Sequence, residues 1–155
     1  MNWRKENAFV RLFDRSAGII LLVSGVAKVW TSFGPIKILK VADPIIGISF
    51  GNLMITVGLV ELIIASVCLF GRSQKLALGL IAWLATDFMV YRLGLWWMGW
   101  TKPCSCLGNL TDALHLSPQL ADNIMKVILA YLLTGSYGLL FGHWWQARQE
   151  AKPST

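Results

Sequence analysis

The sequence predicts an all-α integral membrane protein, a bundle of four transmembrane helices. Three observations predict it. The 155-residue chain is 55% hydrophobic and only 14% charged, where soluble domains carry about 25% charged residues. Its mean hydropathy is +0.58. Four apolar runs recur along it, each long enough to cross a bilayer as a helix, and none shows the dyad alternation of a barrel strand.

Residues 1–12 read as a cytoplasmic amphipathic lead-in, basic with interleaved Trp3, Phe9 and Leu12. The first span runs from about 13 to 30. Eighteen helical residues cover roughly 27 Å, close to a bilayer core of about 30 Å. No small-x-small cleavage site follows it, since "AKVWTSFGP" is bulky there, so the run reads as a retained span. Residues 31–48 hold Gly34, Pro35, Pro44 and Gly47 and read as a loop, with a short surface helix at "PIKILKVAD".

The second span, 49–70, contains one charge, Glu61. A polar turn, "GRSQK", leads to the third span, 76–98, which carries Asp87 and Arg92 and ends in "LGLWWMGW". Those tryptophans suit an interfacial belt, where amphipathic rings sit at headgroup depth. A polar loop at 99–122 leads to the fourth span, 123–145, and a cytoplasmic tail at 146–155 closes the chain. The whole forms one transmembrane domain over 13–145.

Four spans put both termini on one side. That side carries Arg4, Lys5, Arg11, Arg15, Arg72, Lys75, Arg148 and Lys152, while the opposite loops carry only Lys37, Lys40 and Lys102. The excess of basic residues predicts cytoplasmic termini and a periplasmic loop at 99–122 in a bacterial inner membrane. The net charge of +6 is scattered through tails and loops, without a basic helix or an aromatic-basic platform. Nucleic acid is therefore excluded as a partner, and the lipid bilayer is the partner expected.

The stretch that looks like chemistry is "GWTKPCSCLGNL". It sets Cys104 and Cys106 one residue apart, after Lys102 and Pro103 and before Gly108. Three readings compete. A disulfide between i and i+2 closes a very small ring, and its strain makes it easily reduced, which suits exchange. Lys102 favours a thiolate at Cys104, and Gly108 frees the backbone behind the pair. Zinc is the second reading, but C-x-C supplies only two ligands, and adding Asp112 and His115 matches no strong zinc signature, so no metal is assigned. A static loop disulfide or two idle thiols is the third. Cys68 falls near the opposite end of the second span, most of a bilayer away, and reads as a small packing residue.

Glu61 and Asp87 each fall about twelve residues into their spans, near the midplane, where ionisable groups are costly and suggest function. Two readings apply. In one, Arg92 or Lys28 neutralises Glu61 or Asp87 and fixes helix register. In the other, the carboxylates serve a proton or quinone site. Lys28, near the outer end of the first span, also has a stem long enough to snorkel toward the interface.

Three segments taken together resemble the MauE/DoxX-type redox-associated four-helix membrane proteins: "SGVAKVW" at 24–30, "GLVELIIASVCLFG" at 58–71 and "KPCSCLG" at 102–108. The resemblance covers about residues 13–140. It implies a membrane protein connected with thiol–disulfide chemistry of exported proteins, with Cys104 and Cys106 as the redox pair and Lys28 and Glu61 as family-like positions. It makes quinone the candidate cofactor. The chain has no C-x-x-C and no second outer cysteine pair, so a thioredoxin-like partner or an exported protein substrate is implied. The alternative expectation is a non-catalytic accessory subunit of a larger membrane complex.

Overall fold

The computed structural model describes residues 3–33, 39, 41–71, 73–99 and 118–150. The described residues form four helices: α1 (Trp3–Ser32), α2 (Phe50–Phe70), α3 (Gln74–Trp97) and α4 (Pro118–Glu150). Three stretches are long and apolar enough to cross a membrane: α2, α3 and Asp122–Trp145 of α4. The apolar stretch of α1 is interrupted by Asp14, Arg15 and Lys28, and α1 is not among them. The protein is an all-helical membrane bundle. Among the described residues there is no strand, only an isolated bridge between Ala42 and Ser49.

α1 runs without a break through the point where polarity separates the lead-in from the first apolar run. What unites them is a buried stripe: Val10, Phe13, Ala17 and Leu21 recur at three- and four-residue intervals on one face. Ser49 caps α2 by accepting from the Asn52 backbone N–H, and Ser73 caps α3 by accepting from that of Leu76. α2 ends where the Gly71 N–H donates to the Val67 carbonyl at 2.8 Å.

The helices pack as two antiparallel pairs. In the first pair, Gly18 of α1 stands against Cys68 of α2, and Gly25 of α1 against Gly58 of α2. The second pair joins α3 to α4 through a hydroxyl–hydroxyl bond between Thr86 and Tyr137 at 2.9 Å. A bond of 2.7 Å between Ser16 and Tyr131 links α1 to α4. The bundle thus has a termini end and a loop end. The loop end gathers the C-terminus of α1, the N-terminus of α2, the C-terminus of α3 and the N-terminus of α4.

The core sits toward the termini end. It includes Phe13, Ala17 and Leu21 of α1, Ile64, Ala65 and Cys68 of α2, Leu78, Ile81 and Ala85 of α3, and Leu132 of α4. Cys68 is a free thiol, 7% exposed, inside this core. Trp96 and Trp97 at the end of α3 are exposed.

The short surface helix expected at 35–43 lies largely outside the described residues. Where the chain is described again, from 41, it forms a tight turn around Asp43. The Asp43 N–H donates to the Ile48 carbonyl at 2.7 Å, and the Phe50 N–H to the Val41 carbonyl at 3.0 Å. Gly47 has a φ of 78°, a conformation glycine adopts at no steric cost, and its N–H closes the turn on the Asp43 carbonyl.

Candidate functional site

The two helix pairs part toward the loop end and enclose a cleft of about 560 Å³. Its walls are the C-terminal half of α1, the N-terminal half of α2, the C-terminal half of α3 and the N-terminal half of α4. Most lining side chains are aliphatic or aromatic, among them Leu21, Leu53, Met54, Phe50, Trp83 and Phe88. Its charged lining is Lys28, Glu61, Asp87 and Arg92, with Ser24 and Tyr91 adding hydroxyls. All four intramembrane charges singled out in the sequence thus meet in one space.

The centre of the site is an ion pair. Lys28 Nζ donates to Glu61 Oε1 at 2.7 Å and to Ser24 Oγ at 2.6 Å. Lys28 is 4% exposed and Glu61 1%. Of the readings open to Lys28, pairing with a carboxylate inside the bundle is the one the structure shows, and not snorkelling to the interface. Two acceptors lie within reach inside the bundle: Ser24 one helical turn back on the same face, and Glu61 on the neighbouring helix. The Lys28 ammonium also stands 5.5 Å from the centroid of the Phe88 ring, a cation–π contact.

Backbone approach makes the pair possible. A Cβ on Gly58 would meet the Gly25 carbonyl oxygen at 3.0 Å and Val29 Cγ2 at 2.9 Å. Lys28 and Glu61 follow these two glycines by three residues each, nearly one helical turn. The glycine contact therefore sets the helix spacing that the ion pair spans. Glu61 lies eleven residues into α2, about 16 Å along the helix. One of its oxygens, Oε2, is buried and has no hydrogen-bond partner among the described residues.

Arg92 takes a partner other than Asp87. Its Nη2 bonds Asp122 Oδ1 at the start of the apolar part of α4, and Lys126 Nζ reaches Asp122 Oδ2 at 2.7 Å. The reason is rotational: five residues separate Asp87 from Arg92, which turns their side chains about 140° apart on the helix. Asp87 lines the cleft, is exposed, and makes no ion pair among the described residues.

A second polar knot lies at the loop end. Asp43, 1% exposed, accepts from the Ile45 and Ile46 N–H groups at 2.8 Å each, and Tyr91 donates its hydroxyl to Asp43 Oδ2. The 41–49 turn is thereby pinned to α3 beside the cleft. Sequence reasoning did not single out Asp43, Tyr91, Ser24 or Asp122. Two signals were present: Ser24 stands four residues before Lys28, and Asp122 four before Lys126, the spacing of helical neighbours.

Cys104, Cys106, Lys102, Pro103 and Gly108 lie outside the described residues. By sequence they follow α3, whose C-terminus is at the loop end. Among the described residues no group of three His, Cys, Asp or Glu side chains has the geometry to hold a metal ion.

A family model described as "Methylamine utilisation protein MauE" matches residues 6–138. The chain belongs to the MauE family. The matched range takes in nearly all of α1, the whole of α2 and α3, and α4 as far as Gly138, and with them every residue that lines the cleft. No curated protein and no solved structure matches the chain.

Proposed function

We propose that this MauE-family protein is a membrane accessory protein of methylamine utilisation that performs thiol–disulfide exchange on exported proteins through Cys104 and Cys106. The observation that carries the reading is the family match combined with the C-x-C pair, which follows directly on the helix that ends beside the charged cleft. In the oxidising direction, a substrate thiolate attacks one sulfur of a Cys104–Cys106 disulfide and forms a mixed disulfide. A second substrate thiol resolves it. The substrate gains a disulfide, and Cys104 and Cys106 leave as two thiols carrying two electrons and two protons.

In this reading the substrate thiolate attacks Cys104, which follows Pro103 and is nearest Lys102, and Cys106 is the thiolate that leaves; in the reducing direction Cys104 attacks and Cys106 resolves the mixed disulfide. The excess of basic residues on the termini side supports a loop end that faces the periplasm, where disulfides persist. In this reading α1 is the fourth span, since Glu61 neutralises Lys28 within the bundle. The dithiol must pass its electrons onward. A thioredoxin-like partner, a quinone or a larger membrane complex can receive them.

Thiol trapping in cells tests the proposal. Alkylation after acid quench should find Cys104 and Cys106 in a mixture of states that moves to the dithiol under reductant. Cys104→Ser should abolish complementation of a deletion strain. A pair that never changes state, together with full complementation by Cys104→Ser, refutes the exchange reading and leaves a non-catalytic accessory subunit.

A further inference from the structure

We propose that the uncovered face of α3 docks a transmembrane helix of a partner protein that carries one lysine or arginine at mid-membrane depth, with Asp87 as the carboxylate that receives it. The inference concerns this face alone and does not depend on the cysteine pair.

The charge requirement comes from Asp87. It lies thirteen residues into α3 and ten before its end, about 20 Å and 15 Å along the helix. Its side chain is too short to reach either interface, unlike a lysine or arginine stem. Asp87 and Trp83 of α3 and Thr56 of α2 line the cleft and are exposed, so the carboxylate stands where the cleft opens between these two helices. The cations of the cleft are already taken: Lys28 is held by Glu61, and Arg92 by Asp122. A carboxylate at this depth is costly until a cation meets it. Trp83, one turn away on the same face, offers its ring to the same cation.

The helix requirement comes from the spacing. Leu76, Leu80, Trp83, Asp87 and Val90 follow one another at alternating steps of four and three residues, the 3.5-residue repeat of helices packed side by side. Leu76, Trp83 and Val90 are each more than half exposed. Beside them, Gly79 has open space where a Cβ would stand, which lets a second backbone come close. Exposed apolar side chains alone would suit lipid. An ionisable residue in the middle of the seam suits lipid poorly and fixes the register of a partner helix. An amine amphiphile keeps its ammonium among the headgroups, whereas a transmembrane helix carries a basic side chain to this depth. A second copy of this chain is a poor occupant. Two copies inserted the same way would meet on this face with Asp87 against Asp87, and like charges repel most strongly out of water. The partner is therefore a different chain.

The test is association of the full-length protein with synthetic transmembrane peptides in liposomes, read by fluorescence energy transfer between labelled protein and labelled peptide. Each peptide is a Leu–Ala helix of about 20 residues with Lys, Leu or Glu at its centre. The Lys peptide should bind about tenfold more tightly than the Leu peptide. Asp87→Leu should bind the two alike, and Asp87→Lys should prefer the Glu peptide to the Lys peptide. Asp87 makes no ion pair among the described residues, so the Leu variant keeps the bundle intact. Equal binding of the Lys and Leu peptides by the wild-type protein overturns the proposal. So does a preference for Lys that survives in Asp87→Leu. Dodecylammonium should displace the Lys peptide poorly; displacement as complete as that by unlabelled Lys peptide overturns the assignment of a helix and makes the occupant an ammonium amphiphile.

Discussion

Removal of Lys28 and Glu61, singly and together, gives a result whose sign is set by their contact. Both side chains are buried, and their charged atoms stand 2.7 Å apart. Lys28→Met leaves a carboxylate without its partner, and Glu61→Leu leaves an ammonium. Breaking a buried pair from one side costs about 3–5 kcal/mol, chiefly through the charge left behind. Removing both sides abolishes that penalty, and a hydrophobic replacement of similar volume is near neutral or even stabilising. Independent effects would sum to a loss of about 6–10 kcal/mol in the double variant. Contact predicts that the double variant is more stable than either single one. Equilibrium unfolding of purified protein by SDS titration in mixed micelles measures all four corners of this cycle. A double variant as unstable as the worse single variant, or less stable, refutes the assignment of Lys28 and Glu61 as mutual partners.

Three further outcomes follow from the same packing. Gly58→Ala places a Cβ against Val29 and the Gly25 carbonyl; it should cost about 1–3 kcal/mol, and the added cost of Lys28→Met should shrink in its background, as the same unfolding cycle would show. Asp43→Asn gives up the carboxylate that receives two N–H groups and the Tyr91 hydroxyl. It should lose about 1–3 kcal/mol, and hydrogen exchange at Ile45 and Ile46 should accelerate while that of α2 holds. Asp122→Asn weakens a partly exposed contact with Arg92 and Lys126; a loss of about 1 kcal/mol or less is expected, diminishing with added salt in the unfolding titration.

Hydropathy made the spans legible, because burial in lipid demands long apolar runs and little else produces them. The limits of helix and span differ at α1 for a reason visible in Val10 and Phe13. Polarity averaged along the chain separates residues 1–12 from 13–30, but a helix is continued by one apolar stripe, and these two residues belong to the stripe that includes Ala17 and Leu21. The charges were equally visible, but their partners were not. Whether Lys28 meets Glu61 or Asp87 depends on which helices lie side by side. That choice rests on the close approach of Gly25 to Gly58, two glycines among 14 in the sequence. Arg92 escaped prediction because its partner, Asp122, reads as a loop residue and stands at the edge of a span. Asp43 escaped because its burial arises from a turn folded back onto Tyr91, a long-range contact with no local signature.

The distribution of charge along the bundle sets its two halves apart. Lys28, Glu61, Asp87 and Arg92 all border the cleft of the loop half, although each is costly at membrane depth, and the termini half packs to the hydrophobic core. The ion pair and the cysteine pair can be separated by experiment. Cys104→Ser should abolish thiol exchange and leave the unfolding cycle of Lys28 and Glu61 unchanged. The double variant Lys28→Met/Glu61→Leu should leave a Cys104–Cys106 disulfide reducible by dithiothreitol. If the two act in sequence, that variant in cells should also shift the trapped pair toward the dithiol, because the electrons have lost their exit. An unchanged redox distribution would disconnect the two sites, and the ion pair would then serve the packing of α1 on α2 alone.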